Sequence, residues 1–499
     1  MRSHVPRISL MFFVASIAMF YVVTCVDAEG DTVEQPNIIF VLIDDLGKEW
    51  VSCYGAEEVE TPNVDALAAE GMRFENAYSC PQCTPSRVAL MTGQYPYRNG
   101  WVNHWDVPRW GAGCHFDPTQ YPCVIGRSMK EAGYATGVAG KWQIDDFRVE
   151  PEAMRQTGFD DWCMWTGYET GIPASGKRYW DPYVNTPDEG SRTIEGAFGP
   201  DVYNDFVLDF IEEHREEPFF IYYPMALTHG PLVHTPHEMD VTDKMDKHKA
   251  MVRYTDFLLG KIIDQLEDQG IRERTIVIWT TDNGTSGGIA GQMRDDRVPE
   301  GSRRVPGGKA KTTENGVNAP FVVNCPGLVP EGVVTTALVD FTDILPTCVD
   351  LAGGEVPTLE QVSGLSFADV LLGQAEESQR EWILGMGCKN EAQVSNEGVQ
   401  NRWYFRDRVL RDERYKLFIG IDRSGEKFID LWNDPLEEND LTGQETPEQL
   451  AARERLEAVV AEMPERDSDP RYLPNPPQPW DRKVTVESLT WKSGRPDEE

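Results

Sequence analysis

Positive charge is in short supply. The 499-residue chain carries 47 Lys and Arg against 83 Asp and Glu, a formal net charge of -36. Nucleic acid and anionic bilayers would be repelled, so neither is expected as a stable partner. The excess of acid otherwise reads as a solubility device. A second C-x-x-C is also missing: only Cys80 and Cys83, in CPQCTPSR, have that spacing. A structural zinc site commonly needs two such pairs, which argues against a zinc ribbon. Beyond the N-terminal segment no apolar run is long enough to span a bilayer, and no internal repeat is evident. Hydrophobic residues make up an ordinary 40%, enough for a sizeable core in one large domain with a smaller one beside it.

What is present begins with an export pattern. Arg2 and Arg7 precede ISLMFFVASIAMFYVVTC, and VDA offers small residues for a cut after Ala28. Residues 1–28 are therefore expected to be a signal peptide, with an uncleaved N-terminal membrane anchor as the alternative. The mature chain would be periplasmic or secreted, where disulfides persist. Of the ten cysteines, Cys25 falls in the signal and Cys83 belongs to a motif. Eight remain, an even number open to pairing, and Cys114 with Cys123 is a candidate local bridge.

NIIFVLIDD (37–45) is a continuous apolar run ending in acids, the pattern of a strand buried on both faces. TPNVDALAAEG (61–71) and TPSRVALMTG (84–93) read as helices that open on Thr-Pro and stop at Gly. IGRSMKEAG and PDVYNDFVLDFIEEH are further helices, and 247–270 is a long amphipathic one. YATGVAG, PFFIYYPMAL and TIVIWTTDNG are strands. The alternation implies an α/β domain with a large, mostly parallel sheet and helices on both faces, over about 36–375. Residues 380–499 read instead as short strands in hairpin order, an amphipathic helix and an irregular tail. Ligands of such sheets bind beyond the carboxyl ends of the strands, which would bring Asp44 and Asp45 towards Asp282 and Asn283.

The C-x-x-C at a helix start is compatible with a redox dithiol. The neighbouring residues say something else. CTPSR followed by VALMTGQYPYRNG resembles the sulfatase family, in which that cysteine is oxidised to formylglycine by a maturase. PNIIFVLIDDLG, GYATGVAGKW, TTDNG, GGKAKTTENGVNAP and KFIDLWNDPLEENDL resemble further family segments in the same order, over about 36–441. The resemblance implies an alkaline-phosphatase-like fold, sulfate monoester hydrolysis and one Ca²⁺. The metal would be held by Asp44, Asp45, Asp282, Asn283 and the modified Cys83, a hard oxygen set. Lys141 and Lys309 would bind sulfate oxygens, with Lys311 as fallback for Lys309, and Arg87 would brace the aldehyde hydrate. His229 would protonate the leaving oxygen. One hydroxyl of the hydrate attacks sulfur, and the second later expels sulfate.

Two segments depart from the family pattern. Gln143 stands where the family has His after GKW, and glutamine cannot titrate. Asn315 and Asn318 stand where the family more often shows a glycine and an arginine. A phosphonate or phosphodiester hydrolase of the same fold and a non-catalytic sulfoglycan-binding relative are the rival readings. The expected substrate is a sulfated carbohydrate, for two reasons. GWVNHWDVPRW places Trp101, Trp105 and Trp110 in a loop able to overhang the pocket, and GSRRVPGGKAK gathers Arg303, Arg304, Lys309 and Lys311 without an acid.

Overall fold

The computed structural model describes residues 35–102, 114–167, 169, 171–388, 392–395, 398–401, 404–469, 471, 473, 474 and 479. The proposed signal, Trp105 and Trp110 lie outside the described residues.

The apolar run at 37–43 becomes strand β1 (Asn37–Ile43), every residue of it buried. Its side chains alternate between two cores. Ile38, Phe40 and Leu42 pack on one face of the sheet, and Ile39, Val41 and Ile43 on the other. That is why the sequence shows no polar alternation: both faces are covered. Around β1 run β2 (Met72–Tyr78), β3 (Ala135–Lys141), β4 (Asp161–Trp165), β5 (Tyr183–Thr186), β6 (Gly190–Thr193), β7 (Phe219–Pro224) and β8 (Thr275–Thr281). A hairpin follows, β9 (Ala290–Arg294) with β10 (Ser302–Pro306), then β11 (Phe321–Asn324) and β12 (Val333–Asp340). The ten-stranded sheet has the order β12-β2-β11-β8-β1-β7-β3-β4-β5-β6. Pairs β1–β7, β1–β8, β3–β7, β3–β4 and β2–β12 are parallel. The short β11 runs antiparallel between β2 and β8, and β5–β6 form an antiparallel edge hairpin.

Helices cover both faces as the alternation requires. α1 (Pro62–Ala69), α2 (Cys83–Thr92) and α3 (Ile125–Glu131) precede α4 (Gly199–Glu213), α5 (Lys244–Asp268) and α6 (Ile344–Leu351). Val88, Met129 and Ile344 join one core, while Val207, Met251, Leu258 and Ile262 join the other. Each such side chain contributes about 1.5–3 kcal/mol by burial. Gly93 ends α2 with φ 63, a left-handed stop that suits glycine.

The C-terminal segment builds a four-stranded antiparallel sheet from β13 (Ile383–Met386), β14 (Arg408–Arg411), β15 (Tyr415–Ile419) and β16 (Gly425–Asp430). Helix α7 (Pro447–Glu462) starts at a Thr446–Gln449 capping box and lays Leu456 and Val460 against Leu417 and Phe428. Buried ion pairs tie this sheet to the rest: Glu314 meets Arg411 at 2.6 Å and Lys416 at 3.0 Å. Cys53, Cys80, Cys123, Cys163, Cys325, Cys348 and Cys388 are free thiols, so the expected Cys114–Cys123 bridge is not formed. No helix among the described residues is long and apolar enough to cross a membrane.

Candidate active site

The parallel register decides what meets at the carboxyl edge of the sheet. Ile43 pairs with Thr281, so Asp44 and Asp45 leave β1 beside Asp282 and Asn283 leaving β8. Lys141 ends β3, one strand beyond β7. The loop after β10 returns Lys309 to the same edge, and α2 begins there with Cys83.

The side chains converge. Lys141 Nζ donates to Asp44 Oδ2 at 2.5 Å, with both side chains fully buried. Arg87 donates through Nε (3.1 Å) and Nη2 (2.7 Å) to Asp282 Oδ2, and its Nη2 lies 3.7 Å from Asp44. Lys309 Nζ donates to Asp45 Oδ1 at 2.5 Å. Asn283 Nδ2 donates to the same oxygen at 2.8 Å and to the Gly284 carbonyl at 2.8 Å, which fixes its amide orientation. The Cys83 thiol is 3.5 Å from Gln143 Oε1. His229 Nε2 faces Asp45 Oδ2 at 3.9 Å, while its Nδ1 faces the Gly230 carbonyl at 2.7 Å and Arg178 Nη2 at 3.0 Å.

Two backbone positions are held off the common basins. Asp45 has φ 64 and Gln143 φ 71. Non-glycine residues there cost of order 1–3 kcal/mol and persist where the surroundings over-determine them. At Asp45 the surroundings include its own N–H, which donates to Asp282 Oδ1 at 3.2 Å.

The electrostatics follow from burial against neighbouring charge. Burial pushes the Asp44 carboxyl up, but Lys141, Arg87 and Lys309 together outweigh it and bring it to about 2. Asp45 is likewise held low, by Lys309 and His229 against its burial. Asp282 goes the other way: burial and the Asp44 charge hold it well above the usual carboxylate range despite Arg87. Burial, then Lys309, push His229 well below its ordinary value, against the pull of Asp45.

One ligand atom each from Asp44, Cys83 and Asp282 lies within 4.8 Å of the others, and the same holds for Asp44, Asp45 and His229. Asp44 Oδ1 and Asn283 Oδ1 are buried without a hydrogen-bond partner. Orphaned carboxylate and amide oxygens at such a cluster fit a hard divalent cation, Ca²⁺ or Mg²⁺, bound through oxygen.

The structure thus brings together Asp44, Asp45, Cys83, Arg87, Lys141, Gln143, His229, Asp282, Asn283 and Lys309. Lys311 is exposed and its backbone N–H bonds Gly308, so Lys309 is the lysine in the site. Among the described residues, of Arg303 and Arg304 only Arg303 meets an acid. They lie on β10, where Arg303 Nε donates to Asp295 Oδ2 at 2.7 Å. The acid-free look of 301–311 fails there, because the hairpin folds Asp295 back onto Arg303. Trp101 does not overhang the pocket; it is fully buried against Phe116. Sequence reasoning missed Arg178, which touches His229, and Ser286, whose Oγ donates to Asp45 Oδ2 at 2.6 Å. The TTDNG motif stops two residues short of Ser286, and KRYWDP around Arg178 carries no pattern of its own.

The fold that builds this edge matches a known class. Solved structures of the same fold include Ps i-CgsB (TM-score 0.70, 22% identity, covering 88% of this chain and 95% of that one). Another is a protein in complex with its substrate D-glucosamine-2-N,6-O-disulfate (TM-score 0.64, 21% identity, 86% and 97%). Residues 36–354 match the sulfatase family model, and 309–463 match the C-terminal model of N-sulphoglucosamine sulphohydrolase. The chain belongs to the sulfatase family. It is 31% identical over 363 residues to N-acetylgalactosamine-6-sulfatase of Canis lupus familiaris, an alignment covering 68% of this chain and 66% of the relative's own length. It is 28% identical over 504 residues to N-acetylgalactosamine-6-O-sulfatase of Bacteroides thetaiotaomicron, covering 86% and 94%.

Proposed function

We propose that this protein hydrolyses sulfate monoesters of a sulfated carbohydrate, using formylglycine made from Cys83 and one Ca²⁺. The observation that carries the reading is the buried cluster of Cys83, Asp44 and Asp282 at the start of α2, ringed by Arg87, Lys141 and Lys309. The sulfated sugars named for the relatives support the substrate class. The signal pattern at 1–28 supports export.

Asp44, Asp45, Asp282 and Asn283, with the oxygen that replaces the Cys83 thiol, would hold the metal. Bound Ca²⁺ supplies Lewis acidity toward the sulfate oxygens. Formylglycine supplies, as its hydrate, one hydroxyl for attack and a second for release of sulfate.

The chain's own residues do the rest. Lys141 and Lys309 present ammonium groups to the anionic ester in a buried, low-dielectric site, where fixed charge acts strongly. Arg87 clamps Asp282 through two nitrogens and keeps that carboxylate in place. The first turn of α2 adds N–H groups that favour an anion. Gln143 holds position 83 by hydrogen bonding without taking a proton. His229 turns Nε2 toward the site and delivers a proton to the leaving oxygen. Burial first and the Lys309 charge second hold it below its ordinary value, and an incoming sulfate would offset the second of these.

The test is peptide mass analysis of the segment bearing Cys83 after co-expression with a maturase, joined to turnover of paired sulfate and phosphate esters. An aldehyde at position 83 and preferential sulfate release are expected. Full activity with an unmodified thiol, or preference for the phosphate ester, would overturn the reading.

A further inference from the structure

A groove of 640 Å³ runs beside the loop that delivers Lys309. Lys48 and Glu49, just past Asp45 in the chain, form part of its lining, as does Lys311. Lys311 lies two residues beyond Lys309, so their Cα atoms are at most about 7 Å apart. The far walls come from the β9–β10 hairpin and from residues 431–437 after β16.

The charges in this groove are not all spent. Arg303 and Arg297 both pair with Asp295, and Arg411 pairs with Glu314. Arg294, Arg304 and Lys311 are exposed, and none of them is ion-paired among the described residues. Glu75 is occupied by Arg73, and Glu437 by Lys416. Glu49 is pushed up to about 7 by burial, so it is a weak source of negative charge. Asp296 and Glu413 also line the groove, exposed and without an ion pair among the described residues, so its free charge is three cations against two carboxylates on a chain of net charge -36. Trp432 lies at the wall, 55% exposed, with the Arg414 guanidinium 5.0 Å from its ring centroid. Arg414 itself is paired with Asp430, but an exposed indole in the same groove as Arg294, Arg304 and Lys311 offers what a sulfated sugar can use, an apolar ring face and cations for its anion.

We infer that this groove is an extended subsite for the part of an anionic, sulfated oligosaccharide that is not being hydrolysed, with Trp432 carrying a sugar ring and Arg294, Arg304 and Lys311 receiving its sulfate groups. The inference rests on the sulfatase reading above and adds a preference for chain length. The lining includes Lys311, two residues past Lys309, and Glu49, four past Asp45, so along the chain the groove adjoins two segments of the site.

Arg294→Gln and Trp432→Ala, separately and together, test it, since both side chains are exposed and neither touches the metal-binding carboxylates. Initial rates are measured on a sulfated monosaccharide and on a sulfated hexasaccharide of the same repeat, at low and at high salt. The wild-type chain is expected to favour the hexasaccharide in kcat/KM. The double variant is expected to lose about tenfold on it, chiefly in KM, with the monosaccharide rate unchanged. The Arg294 contribution should shrink with added salt. Equal rates on both substrates in the wild type, equal losses on both in the variants, or no loss on the hexasaccharide would each overturn the subsite. A concentration-dependent dimer dissolved by Arg294→Gln would also overturn it, by assigning the groove to a second copy. Absence of turnover on every sulfate ester by the aldehyde-bearing wild type would instead sink the sulfatase reading, which separates the two failures.

Discussion

Calcium binding should expel a proton, and the structure says which one. Asp282 is buried between Arg87 and the Asp44 charge, and without metal its carboxyl is held well above the usual range. Asp44, by contrast, is brought to about 2 and is ionised at any physiological pH. The signs are opposite. A carboxyl raised on folding costs stability as pH climbs past its unfolded value of 3.8, and Asp282 behaves so; the stability from Asp44 is present above 3.8 and is lost as pH falls towards 2. Ca²⁺ needs ionised ligands, so its binding would work against the burial and the Asp44 charge that favour the protonated form of Asp282. While Asp282 remains protonated in the metal-free chain, apparent affinity should tighten about tenfold per pH unit, or about 1.4 kcal/mol. Isothermal titration of the chelator-stripped chain between pH 6 and 8, in two buffers of different ionisation heat, reads both quantities. About one proton released per ion is expected, and Asp282→Asn should flatten the slope. A wild-type affinity independent of pH, or a slope that survives in Asp282→Asn, would refute the reasoning.

Lys141→Ala and Lys309→Ala should each lower kcat by about 10²–10³-fold on a sulfate ester, read from initial rates, because each removes a preplaced cation from a buried site. His229→Ala should depress turnover of sugar sulfates far more than of activated aryl sulfates; equal losses would remove it as the leaving-group acid. Arg380 grips Asp343 through Nε at 2.6 Å and Nη2 at 2.5 Å, both side chains buried. Arg380→Met strands that carboxylate and should cost about 3–5 kcal/mol, measured by chemical denaturation.

The legible parts of this molecule were those where local chemistry and global position coincide. The run at 37–43 has no polar alternation because two cores press on it, so its burial and its place near the sheet centre could both be read from seven residues. Thr61-Pro62 located the start of α1 and Gly93 the end of α2, because those residues act on backbone geometry within one turn, whereas α2 opens at Cys83 with Gln82 as its N-cap, ahead of the Thr-Pro pair. Asp44, Asp45, Asp282 and Asn283 were findable because parallel register converts strand ends into neighbours. The antiparallel β11 was not legible: four buried residues carry no direction. Nor was Arg178, which reaches His229 only through the fold. Trp101 and Arg303 misled for one reason: a side chain's exposure or free charge is set by what folds over it, Phe116 in one case and Asp295 in the other.

The ion pairs at this edge of the sheet bear on how a divalent cation, bound as proposed, would prepare the site for an anion. Asp44 and Asp45 hold Lys141 and Lys309 at 2.5 Å, and Asp282 holds Arg87 at 2.7 Å. Lys141 and Lys309 are each neutralised by the ionised carboxylate they touch, and little of their field reaches outward. A divalent ion placed on the same carboxylates competes directly for their charge. The ammonium groups would then lose their close partners and be free to donate to other oxygens, those of a sulfate ester under the proposed function. The metal's own charge exceeds the single negative charge it gains by expelling the Asp282 proton, so the loaded site becomes more positive as well as less internally satisfied. Under the proposed function one set of carboxylates would serve twice, holding the cations in contact pairs without metal and releasing them to the substrate once a cation is bound. Lys141 and Lys309 are suited to this exchange because ammonium is a point donor that can turn from one oxygen to another, whereas the planar Arg87, bound to Asp282 through two nitrogens, stays where it is.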